Sequence, residues 1–165
     1  MVDMGQLEQL GAGSAYKSTI GDMLERAEMF RDFPRKDIDL LSDYVQAYKA
    51  KNGVVIIKEA EKPRSMYVLV EGRLDISKGD GDEIKTLATV RPGKSVGEMS
   101  IIDGQPTSAT VTAADESTLL LLTKLKFDTM TVRHSELALK IALKIARLMS
   151  LRLRQTSGML SEYLD

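Results

Sequence analysis

The chain of 165 residues has few of the side chains that carry catalytic and redox chemistry. It has no cysteine, which excludes disulfides, thiolate nucleophiles and cysteine metal ligands. Its single histidine, His134, leaves no histidine pair for a zinc site. These absences predict a protein without enzymatic activity, without a bound metal and without a required cofactor.

The chain also lacks long apolar runs and an excess of charge of one sign. No run reaches the length that crosses a bilayer, and residues 1–10 lack the basic head and apolar body of a secretory signal. With 23 basic and 24 acidic residues, the net charge of −1 gives no electrostatic reason to expect a nucleic acid partner. The sequence therefore predicts a cytoplasmic protein with no membrane association.

The hydrophobic pattern changes along the chain, from helical to strand-like and back to helical. Helical periodicity begins at Ser18, a second helix is predicted near Pro34, and a short helix is predicted over residues 124–132. A longer helix begins at Ser135, which can cap it, and runs to about Gln155. Three segments follow from this pattern: a flexible arm over residues 1–17 with one helical turn at residues 4–10, a domain over residues 18–156, and a tail over residues 157–165 after Gly158 ends the helix.

Between the helices, short β-rich runs alternate with turn signals about every ten residues. The predicted strands cover residues 54–58, 66–70, 73–77, 84–90, 109–113 and 118–122. Asn52-Gly53 and the Gly-Asp-Gly-Asp run at residues 79–82 are hairpin signals because their residues tolerate positive φ. Even spacing without intervening helices predicts an antiparallel sandwich or roll.

The long helix has two apolar stripes and one basic side. The first stripe comprises Leu137, Ile141, Ile145 and Leu148, the second Leu139, Leu143, Leu153 and Ala146, and the basic side Lys140, Lys144, Arg147 and Arg154. A helix with two apolar stripes needs two partners. We expect one to be the β-roll and the other to be the same helix of a second subunit, so the sequence predicts a homodimer. The alternative is that both stripes are buried within one subunit, and the basic side is expected to be solvated.

The most informative segment is residues 97–111, GEMSIIDGQPTSATV. Gly97-Glu98 opens a short apolar stretch, a turn follows at residues 103–106, and a strand of small residues begins at Ala109. This order resembles the phosphate-binding cassette of the cyclic-nucleotide-binding domain family, to which protein kinase A regulatory subunits and catabolite activator protein belong. Gly72 and Pro92-Gly93 match further family turns. The resemblance covers residues 18–156 and implies an α+β fold: an antiparallel, jelly-roll-like β-roll of about eight strands with N-terminal helices and a long C-terminal helix.

The resemblance also implies a role for each residue of the cassette. Gly97 lets the chain turn closely under the ligand, Glu98 accepts from the ribose hydroxyl, and the first helical turn offers backbone amides to the phosphate. The base is capped by a residue of the long helix: Arg152 or Leu153 in an ungapped match, Thr156 or Ser157 with a gap of one turn. The predicted ligand-binding residues are Gly97, Glu98, Met99, Ser100, Thr107, Ser108, Ala109 and Arg152.

One position departs from the family pattern. Where the family usually has an arginine against the cyclic phosphate, this chain has Thr107, with Ser108 beside it. A hydroxyl donates one hydrogen bond and supplies no charge, so affinity is expected to be lower by roughly ten- to a few hundred-fold. Arg91 or Lys94 could swing in from the preceding loop, although a solvated loop charge is the simpler interpretation.

Two functions follow from the sequence. The first is a stand-alone regulatory module that binds cAMP, cGMP or a similar phosphate ligand weakly and signals through its long helix to an unidentified protein partner. The alternative is a degenerate fold that binds no nucleotide and acts as a dimerisation or protein-interaction scaffold. The chain ends about ten residues beyond the predicted helix, so no DNA-binding domain is expected.

Overall fold

The structure is a computed structural model that describes residues 6–11, 16–62, 65–79 and 81–164. Nine strands lie in this part of the chain: β1 Leu7–Gly11, β2 Gln46–Ala50, β3 Val55–Ile57, β4 Ser65–Glu71, β5 Leu74–Lys78, β6 Lys85–Val90, β7 Ser95–Val96, β8 Thr110–Ala113 and β9 Ser117–Thr123. The same residues contain five α-helices: α1 Lys17–Arg26, α2 Arg35–Leu41, α3 Glu98–Asp103, α4 Lys124–Arg133 and α5 Ser135–Leu164. Short 3₁₀ turns lie at Glu28–Phe30 and Gly81–Glu83.

The strands form two antiparallel sheets. The larger has the order β1-β2-β9-β4-β7, and the smaller has the order β3-β8-β5-β6. Apolar side chains between the sheets, including Leu69, Leu74 and Leu119, make one core cluster. A second cluster lies between the outer face of the larger sheet and the helices, and it includes Ile38, Leu120 and Ile141. The larger sheet is therefore the middle layer of the molecule.

The central strand β9 contains four consecutive leucines instead of the alternating apolar and polar residues of a surface strand. Leu119 and Leu121 belong to the cluster between the sheets, whereas Leu120 and Leu122 belong to the cluster under the helices. Because successive side chains of a strand point to opposite faces, a strand covered on both faces needs apolar residues throughout.

The predicted fold class is confirmed: the chain is an α+β antiparallel roll with helices before it and a long helix after it. All six predicted strands form, with boundaries shifted by at most one residue. The described residues hold nine strands rather than about eight. The sequence analysis missed β1, β2 and β7, because β2 reads QAYKA with few β-branched residues and β7 has only two residues.

The prediction of a helical turn at residues 4–10 is wrong for the part that the structure describes. Leu7–Gly11 is an edge strand that pairs antiparallel with β2, and Leu7 is buried in the cluster between the sheets. Pairing with an existing sheet satisfies more backbone groups than one isolated helical turn does. Residues 7–11 therefore belong to the roll and not to a flexible arm, while residues 1–5 and 12–15 lie outside the described residues.

The prediction that Gly158 ends the long helix is also wrong. α5 continues through Gly158 to Leu164, so residues 157–164 are helical rather than a separate tail. A Cβ at Gly158 would meet nothing within 4 Å, so the backbone lies in open space there. A glycine inside a helix costs about 1 kcal/mol relative to alanine, which a helix of 30 residues tolerates.

The two stripes of α5 have different environments. Leu137, Ile141 and Ile145 of the first stripe are buried against the roll. Leu139 and Leu143 of the second stripe are 59% and 50% exposed, so this stripe does not bury within the subunit.

The basic side of α5 is not simply solvated. Lys140 pairs with Asp37 at 2.8 Å and Lys144 pairs with Asp32, so two of the four cations have acidic partners near α2. None of the helices in the described ranges is long and apolar enough to cross a membrane.

Candidate functional site

The eight residues predicted from the sequence line a single cavity of about 180 Å³. The cavity lies at the start of α3, beside the segment that leads into β8, with α5 reaching over it. Residues that are distant in the sequence meet here, because Arg152 of α5 lines the same cavity as the cassette of residues 97–111. The predicted residues that line the cavity are Gly97, Glu98, Met99, Ser100, Thr107, Ser108, Ala109 and Arg152.

Other lining residues were not predicted from the sequence. Aliphatic side chains from four strands form an apolar wall, and the end of α3 with the turn after it contributes one acidic, one amide and one proline residue. Of these strands, β3, β5 and β8 were predicted and β7 was not, and the inward-facing residues could not be assigned without a sheet register. These additional residues are Ile57, Ile76, Val96, Val111, Asp103, Gln105 and Pro106.

Gly97 makes the turn into the cavity possible. Its φ is +78°, which side chains other than glycine rarely adopt, and it immediately precedes α3. A Cβ at this position would lie 2.7 Å from the carbonyl oxygen of Ser65. The glycine therefore allows β4 and the start of α3 to pass close to each other.

Glu98 is the most unusual polar group of the site. The residue is only 1% exposed, yet it carries a carboxylate in the first turn of α3. Its Oε1 accepts from Nη1 of Arg152, while its Oε2 has no hydrogen-bond partner among the described residues. A buried carboxylate oxygen without a partner costs free energy. Unused hydrogen-bonding capacity of this kind is expected where a ligand binds.

Arg152 ties the long helix to the cassette. Besides the contact with Glu98, its Nη2 donates to the carbonyl oxygen of Ser95 at 3.1 Å. The Arg152 side chain is 46% exposed, whereas that of Glu98 is 2% exposed. The guanidinium thus closes the cavity from the solvent side. The sequence analysis placed both residues at the site but did not predict that they pair with each other.

Thr107 does not present a free donor to the cavity. Its hydroxyl lies within hydrogen-bond distance of the carbonyl oxygens of Lys58 and Glu61, the latter at 3.1 Å. Its amide donates to the Glu61 carbonyl at 2.9 Å, and its own carbonyl accepts from the amide of Ala60 at 2.9 Å. One hydroxyl proton serves one acceptor at a time, so the side chain is already used in holding the cassette to the turn after β3.

The charges around the cavity do not favour an anion. Of the lining residues, Glu98 and Asp103 are acidic, and Arg152 is the one cation, already in contact with Glu98. The cations considered from the preceding loop do not replace the missing arginine: neither Arg91 nor Lys94 lines the cavity, and Lys94 pairs with Glu28 at 2.5 Å.

Comparison with known proteins identifies the kind of domain. The family model described as "Cyclic nucleotide-binding domain" matches residues 48–134. The chain is 26% identical over 125 residues to the cyclic AMP receptor protein of Thermus thermophilus, covering 75% of this chain and 58% of that protein. It spans less than a third of the lengths of several other curated relatives, which include potassium channels and cGMP-dependent protein kinases.

Solved structures show the same fold. A cyclic nucleotide-binding domain from Methylobacillus flagellatus superposes with a TM-score of 0.81 at 24% identity, over 96% of this chain and 90% of that one. The regulatory subunit of a cAMP-independent protein kinase A from Trypanosoma brucei, in a variant bound to cAMP in its A site, superposes with a TM-score of 0.72 at 18% identity. That match covers 92% of this chain and 52% of the other.

The contact between Glu98 and Arg152 generates a test by double-mutant cycle. Arg152→Ala is expected to lower the free energy of unfolding by about 1–3 kcal/mol, because the buried Glu98 carboxylate loses its cation. Combined with Glu98→Gln, which removes the buried charge, Arg152→Ala is expected to cost less. Urea unfolding of the four proteins measures both values.

Arg154→Ala is the matched control, because Arg154 is an exposed arginine on the same helix. We expect it to change the stability by less than about 0.5 kcal/mol. An equal loss from Arg152→Ala with and without Glu98→Gln would contradict the pairing.

Proposed function

The chain belongs to the cyclic nucleotide-binding domain family, and from that premise we propose that it is a non-catalytic regulatory module. Its cavity receives cAMP, cGMP or a similar phosphate ligand with low affinity, and α5 transmits the occupancy to a partner protein. The observation that carries this proposal is the buried Glu98 carboxylate, which faces the cavity with one oxygen unpartnered among the described residues.

The chemistry of the cavity supports a sugar hydroxyl as the partner of Glu98. An ionised carboxylate only accepts hydrogen bonds, so its partner must be a donor, and a ribose 2′-hydroxyl is one. The apolar wall formed by residues such as Ile57, Val96 and Val111 offers a surface for the rest of the ligand. Arg152 lies on the open side, where a planar guanidinium can stack on a base.

Ligand binding and the position of α5 are coupled through Arg152. The guanidinium that contacts Glu98 in this structure must share or release that carboxylate when a ribose hydroxyl binds to it. Because Arg152 belongs to α5, a ligand that engages the Glu98 carboxylate weakens or replaces the contact that attaches this part of the helix to α3. A ligand shifts the helix only by the difference in its affinity for the two arrangements.

Thr107 is the reason to expect low affinity. No lining residue supplies an unpaired cation for a phosphate, and the Thr107 hydroxyl is already bonded to backbone carbonyls. The same observation favours the alternative function, a scaffold that kept the fold and lost the ligand. We place ligand binding first because a cavity persists and because Glu98 would be a costly group to keep buried in a pure scaffold.

A solved structure with the same fold carries a comparable substitution. The Trypanosoma brucei subunit is described as belonging to a cAMP-independent kinase, and the variant bound to cAMP has an adjacent threonine and valine replaced by arginine and alanine, together with a glutamate-to-alanine change. This chain has the adjacent pair Thr107-Ser108 in its cassette.

The proposal predicts that an arginine at position 107 strengthens cyclic nucleotide binding. Thr107→Arg combined with Ser108→Ala is expected to tighten cAMP or cGMP binding by roughly 10- to 150-fold, since a hydrogen bond to a charged group contributes about 1.5–3 kcal/mol. Isothermal titration calorimetry with both nucleotides measures the change against the natural chain.

Thr86→Arg is the control, because it adds the same charge on the exposed strand β6, away from the cavity. It is expected to leave the affinity within about twofold, since exposed distant charges are screened by salt. No heat at millimolar nucleotide from either the natural chain or the folded double variant would reject ligand binding and leave the scaffold function.

The exposed stripe of α5 supports a homodimer as part of the same function. Leu139, Leu143 and Leu153 are all at least half exposed in the single subunit. With Ala146 and Ser150 between them, these positions repeat with the alternating four- and three-residue spacing of a coiled-coil seam. We expect the same stripe of a second subunit to cover them, which places a signalling helix at a subunit interface.

The dimer predicts that charges on the stripe separate the subunits. Leu139→Glu combined with Leu143→Glu is expected to convert a dimer into a monomer, because two buried carboxylates per subunit oppose association. Sedimentation velocity at micromolar concentration measures the change. Leu125→Glu is the control, because Leu125 is 75% exposed on α4 and outside the stripe; a monomeric natural chain, or a dimer that survives the double variant, would contradict the interface.

A further inference from the structure

A second cavity of about 190 Å³ lies on the other side of β7 from the first. It is enclosed by α5, the 3₁₀ turn at Glu28–Phe30 and the turn at Gly93, and its apolar surface comes from Met29, Leu148 and Leu151. Apolar cavities of about 150 Å³ hold molecules the size of benzene. This cavity therefore has room for a ligand of about six carbon atoms.

The charges on the rim of this cavity are mostly neutralised. Lys94 pairs with Glu28 at 2.5 Å, and the Lys94 ammonium lowers the pKa of the Glu28 carboxyl. Lys144 pairs with Asp32, whose pKa is lowered by that hydrogen bond. Arg147 also lines the cavity, and its charge adds to the lowering of the Asp32 pKa, but within the described ranges it takes part in no hydrogen bond or ion pair. Its guanidinium is the cation that remains available to a ligand.

A second polar group without a partner lies at the inner wall. Ser95 is 1% exposed and lines this cavity but not the first one, whereas its neighbour Val96 lines the first cavity. This division follows from strand geometry, because successive side chains of β7 point to opposite faces. The Ser95 hydroxyl has no hydrogen-bond partner in the part of the chain that the structure describes, so a polar ligand atom that reached it would satisfy a group that is otherwise unpaired.

The geometry points to a second ligand site in this cavity, one for a small amphipathic carboxylate. The apolar tail lies against Met29, Leu148 and Leu151, and the carboxylate accepts hydrogen bonds from Arg147 and from the Ser95 hydroxyl. Arginine suits this role because its planar fork matches the two oxygens of a carboxylate. With Asp32 paired to Lys144, the cations Lys94, Lys144 and Arg147 exceed the acids by one, and this excess positive charge favours an anion over a cation.

The second site is connected to the first through one backbone group. The Ser95 carbonyl accepts from Arg152, and the same guanidinium contacts Glu98 in the first cavity. A carboxylate that fixes Ser95 and the adjacent turn of α5 therefore stabilises the arrangement in which Arg152 holds Glu98. This coupling, unlike the site itself, rests on the proposed function. It predicts that the carboxylate weakens the binding of ligands that use Glu98 in the first cavity.

Sodium hexanoate is a suitable probe, observed through the ¹³C-labelled methyl groups of Met29, Leu148 and Leu151 by NMR titration of the full chain. Saturable shifts of these methyl signals are expected. Arg147→Gln is expected to weaken the affinity at least about tenfold and Ser95→Ala a few-fold, because each removes one donor to the carboxylate. Hexan-1-ol, which has the same tail without the charge, is expected to bind at least about tenfold more weakly than hexanoate.

Arg154→Gln is the control, because it removes an arginine from the same helix outside the cavity. It is expected to leave the hexanoate affinity unchanged. Absence of saturable shifts at these methyl groups, or equal affinities for the natural chain and Arg147→Gln, would overturn the site. Equal binding of the acid and the alcohol would overturn its selectivity for an anion. The coupling is tested by measuring cAMP binding to the Thr107→Arg variant with and without hexanoate. If hexanoate binds but does not weaken cAMP binding to this variant, the site stands and the coupling is rejected.

Discussion

The contact between Arg152 and Glu98 is the interaction on which the functional organisation of this domain depends. It joins the first turn of α3 to the long helix α5 across 54 residues of sequence. A carboxylate that is 1% exposed needs a partner, and the half-exposed guanidinium supplies one while it covers the cavity. We expect the same contact to stabilise the fold in the absence of a ligand, and under the proposed function it links the state of the cavity to the position of a helix.

The cavity combines a group suited to a ribose with a place that is poorly suited to a phosphate. One Glu98 oxygen has no partner among the residues that the structure describes, whereas the Thr107 hydroxyl is bonded to backbone carbonyls. The lining residues include two acids and one paired cation. An anion entering this cavity loses water without gaining a fixed positive charge. Under the proposed function, affinity for a cyclic nucleotide therefore has to come from backbone amides and from the ribose contact.

The sequence predicted the fold and the members of the cassette because both depend on local patterns. Residues 97–111 are contiguous, so the sequence alone assigns Gly97, Glu98 and Thr107 to one segment. Pairing between distant elements was not predictable in the same way: the Glu98–Arg152 contact and the pairing of β1 with β2 depend on tertiary packing. Gly158 misled the analysis because a glycine marks a helix end only where the backbone adopts a left-handed turn, and here the helix continues.

The most direct test of this account is a crystal structure of the natural chain soaked with millimolar cAMP. The account predicts a nucleotide in the cavity, its ribose 2′-hydroxyl within hydrogen-bond distance of the Glu98 carboxylate, and the Arg152 guanidinium moved from its present contact with Oε1. A nucleotide bound in the cavity with Glu98 still engaged only by Arg152, or an empty cavity in crystals that tolerate the soak, would contradict it.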